Sequence, residues 1–240
     1  MVTGGPWQAV LFDKDGTLVD FRATWMPRYR GAAAELAARS GGPPGLERAL
    51  LERLGYDEAD DAFAPESPLL WASNAEIAAA WAAMPELAGL VDTAEVTRRH
   101  FADQDRYPLQ PVGDLPALMA RLQAHGLVLG MATSDDTANA LDTAARLGIA
   151  QALSFIAGAD AGHGEKPEPG LALAFCAAVG VTPEETVVVG DTHSDLLMAR
   201  NAGCGLAVAV RTGGTPLHVL EALADHVLDD LHGLPAILGC

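Results

Sequence analysis

Hydrophobic residues follow two different patterns along this chain. Beyond residue 108, short apolar runs at 127–132, 186–189 and 206–210 alternate with stretches in which apolar residues recur at helical spacing. Short apolar runs bounded by turn residues are typical of buried strands. Because such strands alternate with helices, the pattern predicts right-handed crossovers and a parallel sheet with helices on both faces.

The segment from residue 20 to residue 108 has a helical pattern throughout. Trp25, Tyr29 and Leu36 recur near helical spacing, and Ser73 with Glu76 has the spacing of a capping box at a helix N-terminus. No stretch of this segment alternates as a half-buried strand would. The sequence therefore predicts roughly four helices and no strand here.

These patterns predict an α/β protein with two parts. Residues 1–19 and 109–240 are expected to form a Rossmann-like core around a doubly wound parallel sheet, and residues 20–108 an inserted all-helical cap subdomain. Because the insertion directly follows the first strand, we expect the cap to lie over the carboxyl end of that strand, as a lid does.

Two carboxylates follow the first predicted strand, at residues 8–12. Asp13 and Asp15 are separated by one residue, and Gly16 can turn the chain. Open parallel sheets bind ligands at the carboxyl ends of their strands. Turn formation also explains these residues, and Asp-x-Asp-Gly begins calcium loops as well. A calcium loop, however, follows a helix and has glutamate at its twelfth position, where this chain has Thr24.

Polar side chains also follow three later strands. Thr133 and Ser134 could hold a phosphate near a helix N-terminus, although an ordinary helix cap explains them too. Asp191 and Asp195 follow another strand on a glycine turn, which indicates metal chemistry or, again, helix capping. Lys166 lies in a loop after the third strand, where it either is solvated or neutralises a bound anion.

Composition narrows the classes of molecule that the protein is expected to bind. The formal net charge is −17, and no basic stripe exists to neutralise phosphates, which argues against nucleic acid and anionic membrane surfaces. The three cysteines are widely spaced, as in proteins of a reducing compartment. No secretory leader pattern and no apolar run of membrane-spanning length is present, so we expect a cytoplasmic protein. Lys14 and Lys166 are the only lysines, and both are next to candidate site residues.

The candidate residues together indicate phosphoryl transfer. Carboxylates from two strands, hydroxyls from another and a lysine loop are expected to meet at one edge of the sheet. Phosphoryl transfer needs a nucleophile, for which a carboxylate requires no deprotonation, and cations that stabilise the equatorial oxygens. Ligands that offer only oxygen suit a hard divalent cation, above all Mg²⁺.

The chain resembles the haloacid dehalogenase superfamily, specifically its phosphatases with a helical cap inserted after the first motif. The matching motifs, in the order of the family, are Asp13-Lys14-Asp15-Gly16-Thr17, Thr133, Lys166, and Gly190-Asp191 with Asp195. Each motif is weak alone, but the ordered set spans the core from residue 10 to residue 210. The stretch 224–231 also resembles the end of phosphoglycolate phosphatase-like members.

The resemblance implies a role for each motif. Asp13 would attack phosphorus and form an aspartyl-phosphate, and Asp15 would protonate the leaving oxygen and then activate water. Thr133, with Ser134 beside it, and Lys166 would bind the phosphoryl oxygens. Mg²⁺ would be held by Asp13, the backbone carbonyl of Asp15, and Asp191, with Asp195 as support. The expected substrate is a small phosphate ester similar to phosphoglycolate, and the expected assembly is a monomer or a homodimer.

Other functions share parts of this pattern. A sugar phosphomutase of the same fold is an alternative, because the motifs do not separate transfer to water from transfer to a sugar. A non-catalytic receiver-type signalling protein also uses clustered aspartates, a hydroxyl and a lysine, but the inserted helices and Asp15 favour turnover. Cation-pumping ATPases have threonine where this chain has Asp15, and dehalogenases and phosphonate hydrolases lack an aspartate there. An inactive binding protein of this fold would not need the complete site.

Three residues of the inserted segment are candidates for substrate contacts. Arg22, Trp25 and Arg28 follow the first motif closely and could reach a substrate carboxylate or sugar. Core packing of Trp25 and solvation of the two arginines are the alternatives.

Overall fold

Two compact units, interleaved in sequence, make up the chain. The first contains the residues up to Asp20 together with Pro111–Cys240, and the second contains Phe21–Gln110. The structure, a computed structural model, describes residues 7–64, 66–103 and 105–240. The limits of the units lie one residue and two residues beyond the two predicted boundaries.

Strands and helices alternate along the first unit, and the second unit is mostly helical. In chain order the elements are β1 (Ala9–Phe12), α1 (Phe21–Ser40), α2 (Leu46–Arg53), β2 (Tyr56–Asp57), β3 (Ala62–Phe63), α3 (Pro68–Trp71), α4 (Asn74–Ala82), α5 (Thr93–Ala102), α6 (Leu115–Ala124), β4 (Val128–Ala132), α7 (Thr137–Arg146), β5 (Leu153–Ala157), α8 (Gly170–Val179), β6 (Thr186–Gly190), α9 (His193–Ala202), β7 (Leu206–Val210), α10 (Leu217–Leu223), β8 (His226–Leu228) and α11 (Leu234–Leu238).

The first unit is built on a six-stranded sheet with the order β5-β4-β1-β6-β7-β8. Every neighbouring pair in it is parallel. Strands β1, β6 and β7 are buried along their whole length, which is why their sequences are continuous apolar runs and not alternating ones. The predicted fold class, a Rossmann-like doubly wound sheet with a helical insertion, is confirmed.

Both faces of the sheet are covered by helices. Val10 and Phe12 of β1 pack into one apolar cluster with α6, α7 and α11. Ala9 and Leu11 point to the opposite face, where they pack against α8, α9 and α10. Because β1 lies in the middle of the sheet with a neighbour on each side, the carboxyl ends of β4, β1 and β6 are adjacent.

The second unit has its own core of aromatic and aliphatic side chains. Trp25 stacks on Tyr29 with ring centroids 5.7 Å apart, and Phe101 meets both rings edge-on. The predicted capping box is confirmed: Ser73 accepts a hydrogen bond from the backbone N–H of Glu76, and the Glu76 carboxylate accepts one from the backbone N–H of Ser73.

The prediction of no strand in this segment is wrong at one place. Strands β2 and β3 form an antiparallel pair in which Tyr56 faces Phe63 and Asp57 faces Ala62. The turn between them is closed by the Asp57 carboxylate, which accepts from the backbone N–H of Ala59, and by Asp61 at a positive φ of 47°. Strands of two residues are too short to show the alternation by which a sequence reveals a strand.

Glu35 joins three basic side chains of the second unit. Its carboxylate contacts Arg39 at 2.7 Å, Arg99, and the Nε2 of His100 at 2.8 Å. His100 is buried, and its Nδ1 lies 2.9 Å from the hydroxyl of Tyr107. The hydrogen bond from His100 and the neighbouring arginines lower the pKa of Glu35 to about 2, against the opposing effect of burial.

We therefore expect Glu35→Gln to destabilise the second unit by about 1–2 kcal/mol at pH 7, since a charged acceptor is lost. The pKa of Glu35 is about 2 in the fold and 4.5 as its ordinary value, so this stabilisation is complete above pH 4.5 and is lost as pH falls towards 2. Urea unfolding followed by tryptophan fluorescence at pH 7 and pH 4 measures it. Glu52→Gln, which removes an exposed pair with Arg48, is the control and should change little. If the difference in the free energy of unfolding between Glu35→Gln and wild type is larger at pH 4 than at pH 7, the stabilising group is not the ionised Glu35.

Candidate active site

Asp13 and Asp15 lie in a tightly hydrogen-bonded loop directly after β1. The backbone N–H of Asp13 donates to the carbonyl of Val189 in β6 at 2.8 Å, so the residue continues the sheet for one more step. The carbonyl of Lys14 accepts from the N–H groups of Leu18 and Val19 at 2.9 and 3.0 Å. This winding places the Asp13 carboxylate at the end of the central strand, where the sequence predicts it.

Three predicted site residues, Lys166, Asp191 and Asp195, come together with Asp13. Lys166 places its Nζ 2.5 Å from the Asp13 carboxylate and 2.6 Å from that of Asp195. Carboxylate oxygens of Asp13, Asp191 and Asp195 lie within 4.8 Å of one another, and all three residues are buried. Lys166 is likewise buried, with its side chain 2% exposed, so the solvated alternative for this lysine does not hold.

Burial and mutual repulsion change the proton affinity of these carboxylates. Burial raises the pKa of Asp13 to about 7; the nearby Lys166 lowers it in part, and the charges of Asp195 and Asp15 raise it further. Burial and the charges of Asp13 and Asp195 raise the pKa of Asp191 well above its ordinary value. Burial would lower the pKa of Lys166, but the charges of Asp13 and Asp195 outweigh it and raise the pKa. The cluster therefore carries more carboxylates than its lysine neutralises.

Asp195 caps a helix and also contacts the buried lysine. It is the third residue of α9 and forms a capping box with Thr192, in which one of its oxygens accepts from the backbone N–H and the hydroxyl of Thr192 at 3.0 and 2.6 Å. Its other oxygen accepts from Lys166. Helix capping thus holds Asp195 rigidly beside the lysine.

Two glycines make room for the Asp191 carboxylate. A Cβ at Gly16 would lie 2.3 Å from Oδ2 of Asp191, and one at Gly213 would lie 1.8 Å from it. The hydroxyl of Thr212 donates to the carbonyl of Gly16 at 2.6 Å and joins the loop after β7 to the first motif. This loop was missed from the sequence, although glycines directly after a predicted strand were a usable signal.

Thr133 occupies the end of β4, next to β1. It is 2% exposed, and its Oγ1 accepts from the backbone N–H of Asp135 at 3.1 Å. The residue at the N-cap position of α7 is Asp136, so Thr133 does not cap this helix. Ser134 beside it is half-buried. The simple capping alternative therefore does not account for Thr133.

A second ion-pair cluster adjoins the first. The buried Nζ of Lys14 lies 2.6 Å from Asp15 and 3.0 Å from Asp135. Burial would lower the pKa of Lys14, but the charges of Asp15 and Asp135 raise it above its ordinary value, so the lysine is charged. Sequence reasoning noted that Lys14 stands beside the site, but it missed Asp135, because nothing local pairs residues so far apart in the chain.

The three candidate substrate residues belong to the second unit. Trp25 is buried in its aromatic core. Arg28 is also buried; it donates to the carbonyls of Thr24 and Tyr107, each at 2.6 Å, and lies over the Trp25 ring. Arg22 is partly exposed and forms an ion pair with Asp61 at 2.8 Å. A substrate contact for these residues stays a prediction.

A doubly wound parallel sheet with clustered aspartates and a buried lysine at its carboxyl edge is suited to binding and transferring a phosphoryl group. The family model for haloacid dehalogenase-like hydrolases matches residues 7–203. Because this match covers most of the chain, the protein belongs to the haloacid dehalogenase-like hydrolase family.

Individual relatives agree with this assignment. The chain is 31% identical over 224 residues to a phosphoglycolate phosphatase of Chromobacterium violaceum, covering 90% of each chain. It is 28% identical over 213 residues to the N-acetylmuramic acid 6-phosphate phosphatase of Pseudomonas aeruginosa, covering 86% of this chain and 82% of the relative. The crystal structure of a predicted phosphoglycolate phosphatase from Haemophilus somnus has the same fold, with a TM-score of 0.71, 19% identity, and coverage of 97% and 98%.

Family and relatives together identify the protein as a phosphoric monoester hydrolase. The predicted hydrolase class is confirmed. Among the residues that the structure describes, no helix combines the length and the apolar character needed to cross a bilayer.

Proposed function

We propose that this protein is a Mg²⁺-dependent phosphatase that hydrolyses a small phosphorylated metabolite through an aspartyl-phosphate on Asp13. The observation that carries the proposal is the buried cluster of Asp13, Asp191 and Asp195 around Lys166 at the end of the central strand. Asp13 needs no separate base to act as a nucleophile, and Lys166 is close enough to stabilise charge on a phosphoryl group in contact with Asp13.

The residues fit a hard divalent cation. Three buried carboxylates lie within reach of one ion, and burial together with the charges of neighbouring carboxylates raises the pKa values of Asp13 and Asp191. Mg²⁺ prefers oxygen ligands of this kind. Asp13, Asp191 and the backbone carbonyl of Asp15 would hold it, with Asp195 in support. When bound, the ion would shield the nucleophile and the phosphate from each other's negative charge.

The protein's own groups would divide the two chemical steps. Asp13 attacks phosphorus, and the ester oxygen leaves with a proton from Asp15. Asp15, now ionised, accepts a proton from the water that attacks the aspartyl-phosphate, which frees inorganic phosphate and Asp13. Thr133, Ser134 and Lys166 hold the phosphoryl oxygens during both steps, so that charge on them is stabilised without rearrangement.

For the substrate, we propose a small anionic metabolite such as phosphoglycolate. Support comes from the relatives, whose names specify phosphoglycolate and N-acetylmuramic acid 6-phosphate. Arg22, Trp25 and Arg28 remain the candidates for selecting the substrate, with the second unit as a cap. We also propose a cytoplasmic protein that acts as a monomer or a homodimer.

The direct test is phosphate release with Mg²⁺ and with a chelator. The substrate panel is phosphoglycolate, N-acetylmuramic acid 6-phosphate, hexose phosphates, nucleotides and 4-nitrophenyl phosphate. We expect Mg²⁺-dependent release, fastest with a small alkyl phosphate. Interconversion of sugar phosphates without release would indicate a phosphomutase, and a stable phospho-protein without turnover would indicate a receiver-type protein. Equal release with the chelator would contradict the role of the metal.

We expect Mg²⁺ to stabilise the fold through Asp191. A ligand that binds only the folded state at about 100 times its Kd adds about 2.7 kcal/mol to stability, so the unfolding temperature should rise with Mg²⁺. Asp191→Asn should remove most of this rise. Without Mg²⁺ it should melt no lower than wild type, because burial disfavours the Asp191 carboxylate and Asp13 and Asp195 repel it.

Differential scanning fluorimetry across a Mg²⁺ titration measures both effects. Asp142→Asn is the control, since Asp142 forms an exposed pair with Arg146 and should leave the titration unchanged. An unchanged Mg²⁺ response in Asp191→Asn would remove this residue from the metal site.

A further inference from the structure

Lys14 is buried between two carboxylates that come from different strands of the sheet. Its Nζ lies 2.6 Å from Oδ2 of Asp15, in its own loop after β1, and 3.0 Å from Oδ2 of Asp135, in the loop after the neighbouring β4. The Lys14 side chain is 3% exposed. It therefore links the first motif to the loop that carries Thr133 and Ser134.

Asp135, at the far end of this link, is held in place by hydrogen bonds of its own. The other carboxylate oxygen of Asp135, Oδ1, accepts from the backbone N–H of Asp136 at 2.8 Å and from the side chain of Asn139 at 3.1 Å. The backbone N–H of Asp135 donates to Thr133, and its carbonyl accepts from the N–H of Ala159 at 3.0 Å. Asp135 is thus a rigid anchor that orients the ammonium group of Lys14.

The near end of the link contacts the carboxyl group of Asp15, the proposed proton donor. Asp15 follows the central strand in a turn, its side chain is 19% exposed, and its carboxylate has two soft torsions. A contact of 2.6 Å with a fixed ammonium group restricts the carboxylate to orientations that keep one oxygen on Lys14. A proton donor that is displaced by about 1 Å loses on the order of 100-fold in rate.

We propose that Lys14, anchored by Asp135, is a positioning residue: it holds one oxygen of the Asp15 carboxyl group, so that the other oxygen, which carries the proton, is oriented toward the leaving oxygen. This inference rests on the proposed function, in which Asp15 is the general acid. Lys14 touches neither phosphorus nor its oxygens in this role; it acts through Asp15. Lys166, the other lysine, contacts the separate pair Asp13 and Asp195, so the two lysines have different tasks.

The test compares leaving groups. Lys14→Met keeps the unbranched apolar stem of the side chain and removes its charged end. We expect kcat/KM for the best alkyl phosphate of the panel to fall by about 10- to 100-fold. For 4-nitrophenyl phosphate, whose leaving oxygen needs little protonation, we expect a loss of less than about threefold. Equal losses for both substrates, or no loss for either, would overturn the proposal.

A double mutant separates positioning from a purely structural role. If Lys14 acts through Asp15, Lys14→Met should cost almost nothing further in the Asp15→Asn background, because the acid is already absent. A full additional loss would show that Lys14 stabilises the loop by another route. If the wild-type protein releases no phosphate, or if Asp15→Asn keeps wild-type activity, the proposed function itself is contradicted.

Lys14→Met leaves Asp15 and Asp135 without their shared cation. A second variant therefore tests the proposal in case Lys14→Met misfolds. Asp135→Asn retains the shape of the anchor and weakens its hold on Lys14, so it should show the same preference for the aryl ester with a smaller loss, about 3- to 10-fold. Asp142→Asn is the control: it makes the same chemical change at a carboxylate that forms an exposed pair with Arg146, and its kcat/KM should stay within about twofold of wild type. An Asp135→Asn variant that treats both leaving groups alike would reject the anchor.

Discussion

Asp13→Asn is expected to reduce kcat by at least about 10⁴-fold with every substrate of the panel, because the amide cannot form the covalent phospho-enzyme. The fold should remain intact, since the two side chains have nearly the same shape. Lys166 keeps its contact with Asp195, and removing the charge of Asp13 relieves its repulsion with Asp195 and Asp15. The unfolding temperature without Mg²⁺ should therefore equal or exceed that of wild type.

Steady-state phosphate release, circular dichroism and thermal unfolding measure these outcomes on the same preparation. Asp142→Asn makes the same chemical change at an exposed position and should retain full activity. Substantial turnover by Asp13→Asn, after mass spectrometry has excluded deamidation back to aspartate, would remove Asp13 as the nucleophile. Loss of both fold and activity would show instead that Asp13 has a structural role.

Asp15→Asn is expected to have the second largest effect, and a different signature. Loss of the general acid should reduce kcat/KM for alkyl phosphates by about 10²- to 10⁴-fold. The loss should be much smaller for 4-nitrophenyl phosphate, whose leaving group departs without a full proton transfer. Because Asp15 also activates water in the second step, the aspartyl-phosphate should then accumulate.

Rapid quenching should show a burst of nitrophenol close to one equivalent per enzyme, and intact-protein mass spectrometry should detect one added phosphoryl group. The double variant Asp13→Asn/Asp15→Asn should show neither. The same loss for both classes of ester, with no phospho-enzyme, would assign Asp15 a role other than acid and base.

Local patterns were sufficient for the framework of the core. Strands β1, β4, β6 and β7 were predicted within one residue at each end, because buried parallel strands are continuous apolar runs that end at turn residues. The order of the carboxylates, hydroxyls and Lys166 along the chain, combined with the rule that ligands bind at the carboxyl ends of strands, indicated which side chains would meet. The structure brings Asp13, Lys166, Asp191 and Asp195 together.

Other features could not be predicted from local patterns. The two-residue strands β2 and β3 carry no periodicity, and their pairing depends on a turn held by Asp57 and Asp61. The stretch that forms α11, at the end of the chain, was not recognised as a helix; its five residues contain a proline at the start and too few turns to show a helical period.

The sequence by itself determined the fold class, the family and the chemical type of the site, because each depends on residue types at short spacing in a given order. Only the tertiary structure decided which carboxylates each lysine neutralises. Lys14 pairs with Asp135 across 121 positions and Lys166 with Asp13 across 153. These contacts exist because β4 pairs with β1, and because α8, the helix after the Lys166 loop, packs against β1. Spacing along a chain cannot reveal a Coulomb interaction whose distance is set by sheet order.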